Sequence, residues 1–195
     1  EKIIQKVNAT GKIQPKTKVN ISADVSAKII ALHVKEGDWV EKGKLLVELD
    51  KERYMASVES QEANVRSTKA NAKLVKANME QAKRVWQRSK ELVSKKLESQ
   101  ADLDAKNAGY QVEVARYESS LEQVAQIQGT LKRALDDLSK TTMYAPMSGT
   151  ISKLNKEAGE IAIGSQFQED VIMTIANLNE MEALVNVDEN DIIAI

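Results

Sequence analysis

The apolar positions follow two patterns of different period. In the middle of the chain Val58, Val65, Ala72, Met79, Trp86 and Val93 recur every seven residues, with Val75 and Ala82 beside them. A second seven-residue series, Leu103, Tyr110, Tyr117, Val124, Leu131 and Leu138, is interleaved with Val114, Leu121 and Leu135 at the four-residue step. Such a repeat is a narrow seam along a helix, and a seam needs a partner. From Lys44 through Ala108 there is neither glycine nor proline, and the residues are mainly Ala, Lys, Glu, Gln, Leu and Arg, which favour helix. If the chain folds back on itself, the two series pair at a constant index sum of 196, from Val58 with Leu138 to Val93 with Leu103. Small then meets large, as where Val124 faces Ala72, and the tip falls near residue 98. Arms of about 40 residues at ~1.5 Å per residue give a hairpin of about 60 Å, with a left-handed supercoil.

The ends of the chain alternate with period two. Leu45, Val47 and Leu49 alternate with Leu46, Glu48 and Asp50, and Val171, Met173 and Ile175 alternate with Ile172, Thr174 and Ala176; each run predicts a strand buried on one face. These strands belong to a repeat. Ser26, Ala27, Ile29, Leu32, Gly37 and Asp38 recur 122 positions later as Ser148, Gly149, Ile151, Leu154, Gly159 and Glu160. Each copy reads as a short strand, a turn at the glycine–acid pair, and a second turn near Gly43 or Gly164. Neither copy is long enough to bury a two-sided core alone, so the two are expected to join in one small sandwich. The fold class is therefore α+β: a β-sandwich interrupted by a long antiparallel coiled-coil hairpin.

Composition narrows the chemistry. The 195 residues contain no cysteine and one histidine, His33, which excludes thiol nucleophiles, disulfides, and triads or zinc sites built on several imidazoles. With 28 basic and 29 acidic residues the chain is not generally basic, but the charge is unevenly spread. Val65 to Lys96 holds ten basic and two acidic residues, and Leu97 to Leu138 four and eight. Such arms suit pairing across the hairpin's flanks or between neighbouring hairpins, besides simple solvation. No nucleic-acid partner is expected, because the basic arm lacks interleaved aromatics and the acidic arm repels phosphate. No run reaches the ~18 apolar residues of a membrane span, and no signal peptide is visible, so a targeting or anchoring segment is expected outside these residues.

Two half motifs separated by a helical hairpin resemble the periplasmic adaptor proteins, or membrane fusion proteins of the HlyD family, of tripartite bacterial exporters. The stretch from Ala9 to Lys12 is similar to the family's opening strand, Gly37 to Leu46 to its first lipoyl-like half motif, Ala145 to Ile151 to the second, and Val187 to Ile192 to the entry into its β-barrel domain. Ala27 stands where the family's first half motif has glycine. The resemblance implies a β-barrel fragment at 1–20, lipoyl-like halves at 21–52 and 139–178 with turns at Gly37, Gly43, Gly149, Gly159 and Gly164, the coiled-coil hairpin at 53–138, and a second barrel fragment at 179–195. Adaptors that dock on TolC-type outer-membrane channels carry Arg, three residues, Leu, six residues, Ser around the tip, and Arg88, Leu92 and Ser99 have that spacing. Arg88 and Leu92 share a helix face and lie off the heptad series. Ala9 to Lys12, Ala145 to Gly149 and Ser99 to Asp104 are most similar to the MacA-type adaptors of ABC macrolide exporters.

The resemblance implies a non-enzymatic function without a cofactor. The chain would bridge an inner-membrane ABC-type or proton-driven transporter and a TolC-type channel for export of small molecules such as drugs. It would be periplasmic, a homo-oligomer expected as a hexameric ring, and anchored to the inner membrane through segments outside these residues. Two alternatives are a secretion-type hairpin scaffold and an acyl carrier, since the run Glu48, Leu49, Asp50, Lys51 resembles a lipoyl lysine turn with Lys51 as the carrier. His33, beside Glu36 and Asp38, reads as a surface or packing residue. Asp188, Glu189 and Asp191 lack a calcium-loop glycine and read as a polar turn. Trp39 reads as a partly exposed turn residue, and no metal site is expected.

Overall fold

The computed structural model describes residues 10–164 and 169–186. It separates into two compact units, one from the two ends of the chain and one, Lys51–Ser139, from its middle.

The first unit contains two four-stranded antiparallel sheets of matching topology. One runs β2 (Lys18–Ser22), β9 (Val171–Ala176), β7 (Gly149–Leu154), β4 (Trp39–Val40); the other runs β6 (Thr142–Tyr144), β5 (Leu45–Leu49), β3 (Ala27–Leu32), β8 (Ile161–Ala162). The repeat explains the match: β3 and β7 are equivalent, as are β4 and β8, and each short strand pairs with the long strand of the other copy. The glycine–acid turns make the same exchange. Gly37 N–H donates to the Ile151 carbonyl (2.8 Å) and Ile151 N–H to that of Asp38 (2.9 Å), while Gly159 N–H donates to Ile29 (2.8 Å) and Ile29 N–H to Glu160 (2.8 Å). Each half thus completes the other's hydrogen bonding, and neither can satisfy its central strand alone. A separate pair, β1 (Thr10–Pro15) with β10 (Met181–Asn186), is antiparallel and in register from Thr10–Asn186 to Pro15–Met181.

Ile29, Val40, Leu46, Val47, Leu49, Ile151, Ile172, Met173 and Ile175 form the sandwich core. Strict alternation fails at two equivalent places. Leu46 is buried beside Val47, and Ile172 beside Met173; Ala176 is also buried beside Ile175. The ladder register shifts between Leu45 and Val47 on β5, and in β7, the neighbour of β9, between Ile151 and Lys153. Irregularities of this kind interrupt the two-residue facing, so consecutive side chains can both reach the core.

The second unit is the pair α1 (Glu52–Ser94) and α2 (Gln100–Ser139). Val58, Val65 and Ala72 are buried on α1, and the later members of both seven-residue series are half-buried. Trp86 stacks on Tyr110 with ring centroids 5.5 Å apart and planes within 6°, which ties the arms at the expected index sum.

The second row of the α2 seam differs from expectation. Leu121 and Leu135 are 44% and 45% exposed, whereas Ser120, Ile127 and Ala134 are half-buried. On α1 the second row follows the first at the three-residue step, through Val75, Ala82 and Ser89. In an antiparallel pair the partner's second row must lie on the same side of the seam, which again requires the three-residue step beyond Tyr117. Ser120 and Thr130 donate to carbonyls three residues back (both 2.6 Å), so these seam hydroxyls are satisfied inside their own helix. Among the described residues no helix is long and apolar enough to cross a membrane.

Candidate functional site: the hairpin tip

The tip is a tight closure with both helix ends capped. Lys95 caps α1, Lys96 follows at φ 60°, Lys96 N–H donates to the Val93 carbonyl (2.9 Å), and Leu97 N–H to that of Leu92 (2.9 Å). This is the Schellman pattern, with lysine in the left-handed position usually taken by glycine. On the other side Ser99 caps α2. Asp102 N–H donates to Ser99 Oγ (3.2 Å), and Ser99 Oγ–H donates to Asp102 Oδ2 (2.6 Å). An N-cap serine followed three residues later by an acid is the sequence sign of this closure, and it stands in the chain as Ser99 and Asp102.

Of the three docking residues expected, Arg88 is exposed on the last turns of α1, Leu92 is half-buried in its final turn, and Ser99 is exposed at the start of α2. The structure gives Ser99 the capping task and makes Leu92 the carbonyl that closes α1. Leu97, absent from the expected set, is the most exposed large apolar residue of the tip at 71%. Lys90 Nζ lies 5.8 Å from the Trp86 ring centroid, within cation–π range. Together Arg88, Leu92 and Leu97 put a fixed cation and two aliphatic side chains at one end of a rigid rod. That arrangement can bury apolar area and donate to carbonyls or carboxylates of another protein; it contains no nucleophile–base pair.

The remaining candidates lie away from the tip. Gly37, Gly43 and Gly159 have φ between 88° and 100°. Gly149 and Gly164 are close-approach positions instead: a Cβ on Gly149 would lie 2.7 Å from the Ala176 carbonyl oxygen, and one on Gly164 2.5 Å from backbone atoms of Asp24 and Val25. Lys51 occupies the N-cap position of α1, and its carbonyl accepts from Met55 N–H (2.8 Å). His33 Nε2 is 3.4 Å from Glu48 Oε1. Trp39 is half exposed on β4. Lys156 and Asp170 pair at 3.1 Å and, with Ile163 N–H donating to Asp170 (2.8 Å), tie the exit of β8 to the entry of β9. The Ile163 N–H is the main reason that the Asp170 carboxyl is held below the usual carboxylate range; burial opposes it and Lys156 assists. Among the described residues there is no cluster of metal-ligating side chains. Ala9, and the stretch from Val187 to Ile192 with Asp188, Glu189 and Asp191, lie outside the described residues.

Comparison with known proteins bears on the family and the fold. Residues 17–174 match the family described as RND MFP (membrane fusion protein), barrel-sandwich hybrid domain. The chain is 30% identical over 189 residues to the macrolide export protein MacA of Escherichia coli O157:H7, covering 97% of this chain and 51% of that protein. It is 32% identical over 186 residues to the pyoverdine export membrane fusion protein PvdR of Pseudomonas aeruginosa, covering 95% and 47%. The crystal structure of MacA from Actinobacillus actinomycetemcomitans superposes with a TM-score of 0.88 at 27% identity, over 97% of this chain and 59% of that one. The chain thus spans about half the length of the curated relatives it matches.

Proposed function

The chain belongs to the RND membrane fusion proteins through its barrel-sandwich hybrid domain, and from that premise we propose that it is the periplasmic adaptor of a MacA-type tripartite exporter. In this reading the protein is held at the inner membrane by segments outside these residues and meets an ABC-type transporter, with a proton-driven one as the alternative. It assembles as a ring, expected to be hexameric, and reaches a TolC-type outer-membrane channel with its hairpin. Small molecules such as drugs pass through, and the adaptor breaks and makes no covalent bonds. The names of the relatives, which specify macrolide and pyoverdine export, favour small-molecule cargo.

The observation that carries the reading is the tip. Arg88 and Leu92 sit off the seam beside a closure capped on both sides, at the end of arms of 43 and 40 residues, about 60 Å long at ~1.5 Å per residue. A rod of that length with a rigid, chemically specific end supplies reach and contact, which is what bridging two membranes demands. Nothing comparable supports an acyl carrier, since Lys51 lies at a helix root instead of at an exposed strand turn.

The test is Arg88→Asp and Leu92→Asp in the full-length protein. Each is expected to abolish co-purification of the outer-membrane channel and export while leaving far-ultraviolet helix content unchanged. Retained docking by both variants would overturn the site and favour a hairpin scaffold that meets no channel.

A further inference from the structure

Two of the three residues that share the docking spacing are already committed inside the tip. The Leu92 side chain is half-buried, and its carbonyl accepts from Lys95 N–H (3.1 Å) and Leu97 N–H (2.9 Å). Ser99 Oγ accepts from Asp102 N–H and donates its one proton to the Asp102 carboxylate, so the hydroxyl is occupied by the cap of α2. Leu97 is the reverse case. Its backbone is fixed by the closure, while its side chain is 71% exposed.

The closure decides where that leucine stands. Lys96, at φ 60°, reverses the chain, and the bond from Leu97 N–H to the Leu92 carbonyl sets residue 97 beside residue 92, the pair whose apolar contact ordinarily completes this motif. Here the contact leaves most of Leu97 in water. The next side chain turns inward: Glu98 is half-buried, and one of its carboxylate oxygens is fully covered with no hydrogen-bond partner among the described residues. Arg88, one helical turn before Leu92 and on the same face, and Lys95 are both exposed, and neither has an ion-pair partner among the described residues. The end of the hairpin thus carries one apolar knob, with Leu92 at its base and Leu97 at its crown, flanked by two unpaired cations.

We propose that Leu97 is the apolar anchor of the contact with the outer-membrane channel, entering an apolar slot bordered by carboxylates, and that Ser99 serves docking only as a positioning residue that holds Leu97 through the cap of α2. The proposal rests on the adaptor reading and deepens it by reassigning roles at the tip. A leucine whose backbone is already held by hydrogen bonds loses little further freedom on binding, so the burial of its side chain is retained as affinity. Arg88 and Lys95 orient the contact through the carboxylates around the slot, and Leu92 supports Leu97 from below.

The full-length protein is titrated with a TolC-type channel purified in detergent, and the dissociation constant of each variant is read beside helix content and amide exchange. Leu97→Ala is expected to raise the constant by about tenfold or more with helix content unchanged, because the side chain is mostly exposed in the free protein. Leu97→Met, which conserves apolar volume, should stay within about threefold of wild type. Ser99→Ala should accelerate exchange of the Asp102 amide about three- to tenfold and weaken channel binding, and Ser99→Asn, which also caps a helix, should restore both. Unchanged binding by Leu97→Ala, with binding lost in Arg88→Asp, would overturn the anchor and leave the adaptor reading standing. Lost binding in Ser99→Asn with the Asp102 amide still protected would make Ser99 a contact residue and overturn its positioning role. Altered self-association of the protein alone on Leu97→Ala would assign the leucine to contact between copies and overturn the proposal. A wild-type protein that binds no channel would overturn the adaptor reading and this proposal with it.

Discussion

Lys96→Gly should stabilise the hairpin tip. Lys96 is the only described non-glycine residue with positive φ, in a region that costs an L-residue with a Cβ about 1–2 kcal/mol. Glycine removes that cost but has more freedom to lose from the unfolded chain, which offsets about 0.4–1 kcal/mol of the gain. The net expectation is about 0.5–1 kcal/mol in favour of the variant, since the bonds from Lys96 N–H to Val93 and Leu97 N–H to Leu92 are retained. Amide hydrogen exchange at residues 96 and 97 reads this locally. At ~1.4 kcal/mol per tenfold, their exchange should slow about two- to fivefold if they open through local unfolding. Lys96→Val, which places a β-branched residue at the same φ, should accelerate exchange. Because Arg88 and Leu92 are untouched, the docking proposed for them should survive the glycine change. Faster exchange in Lys96→Gly would refute the assignment of strain to this residue.

Other substitutions separate the roles of the glycines and the acid. Gly149→Ala and Gly164→Ala should each destabilise the sandwich by about 1–3 kcal/mol in denaturant unfolding, because the added carbon meets backbone that cannot swing aside. Gly109→Ala and Gly129→Ala, on helical positions with nothing within 4 Å of the new carbon, should instead stabilise the hairpin by up to about 1 kcal/mol each. Asp170 has a folded pKa below its unfolded value, so its contribution is present above the unfolded pKa of about 3.9 and is lost as pH falls through the folded one. The stability difference between wild type and Asp170→Asn should be constant near neutrality and shrink on acidification below about pH 4; a difference that grew toward low pH would reverse the assignment.

The parts of the fold set by strict periods were readable from sequence. The first row of each seam and the doubled half motif both follow from spacing, since a helix face and a strand turn repeat at fixed intervals. What spacing left open was the side on which a second row falls. Leu121 and Leu135 attract attention as large apolar residues, yet only the handedness of an antiparallel pair decides that Ile127 and Ala134 face inward. The neighbouring burial of Leu46 and Val47 was hidden for a similar reason, because the register shift that permits it is a property of paired strands. A repeat reports likeness and not contact, so the exchange of hydrogen bonds between Gly37 and Ile151, and between Gly159 and Ile29, emerged only with the structure. At the tip, the proposed docking role of Arg88 and Leu92 rests on a spacing shared with a family. The capping by Ser99 was signalled by Asp102 three residues on, whereas nothing in the sequence marks a lysine as the residue with positive φ.

The most direct test of the adaptor account is a photo-reactive residue at position 92 of the full-length protein, activated in intact cell envelopes. The account predicts cross-linking to a TolC-type outer-membrane channel from position 92, half-buried though its leucine is, and none from position 74, whose leucine is exposed but lies about 27 Å back along α1. Cross-linking to the channel from position 74 alone, or from neither position in envelopes that export normally, would contradict it.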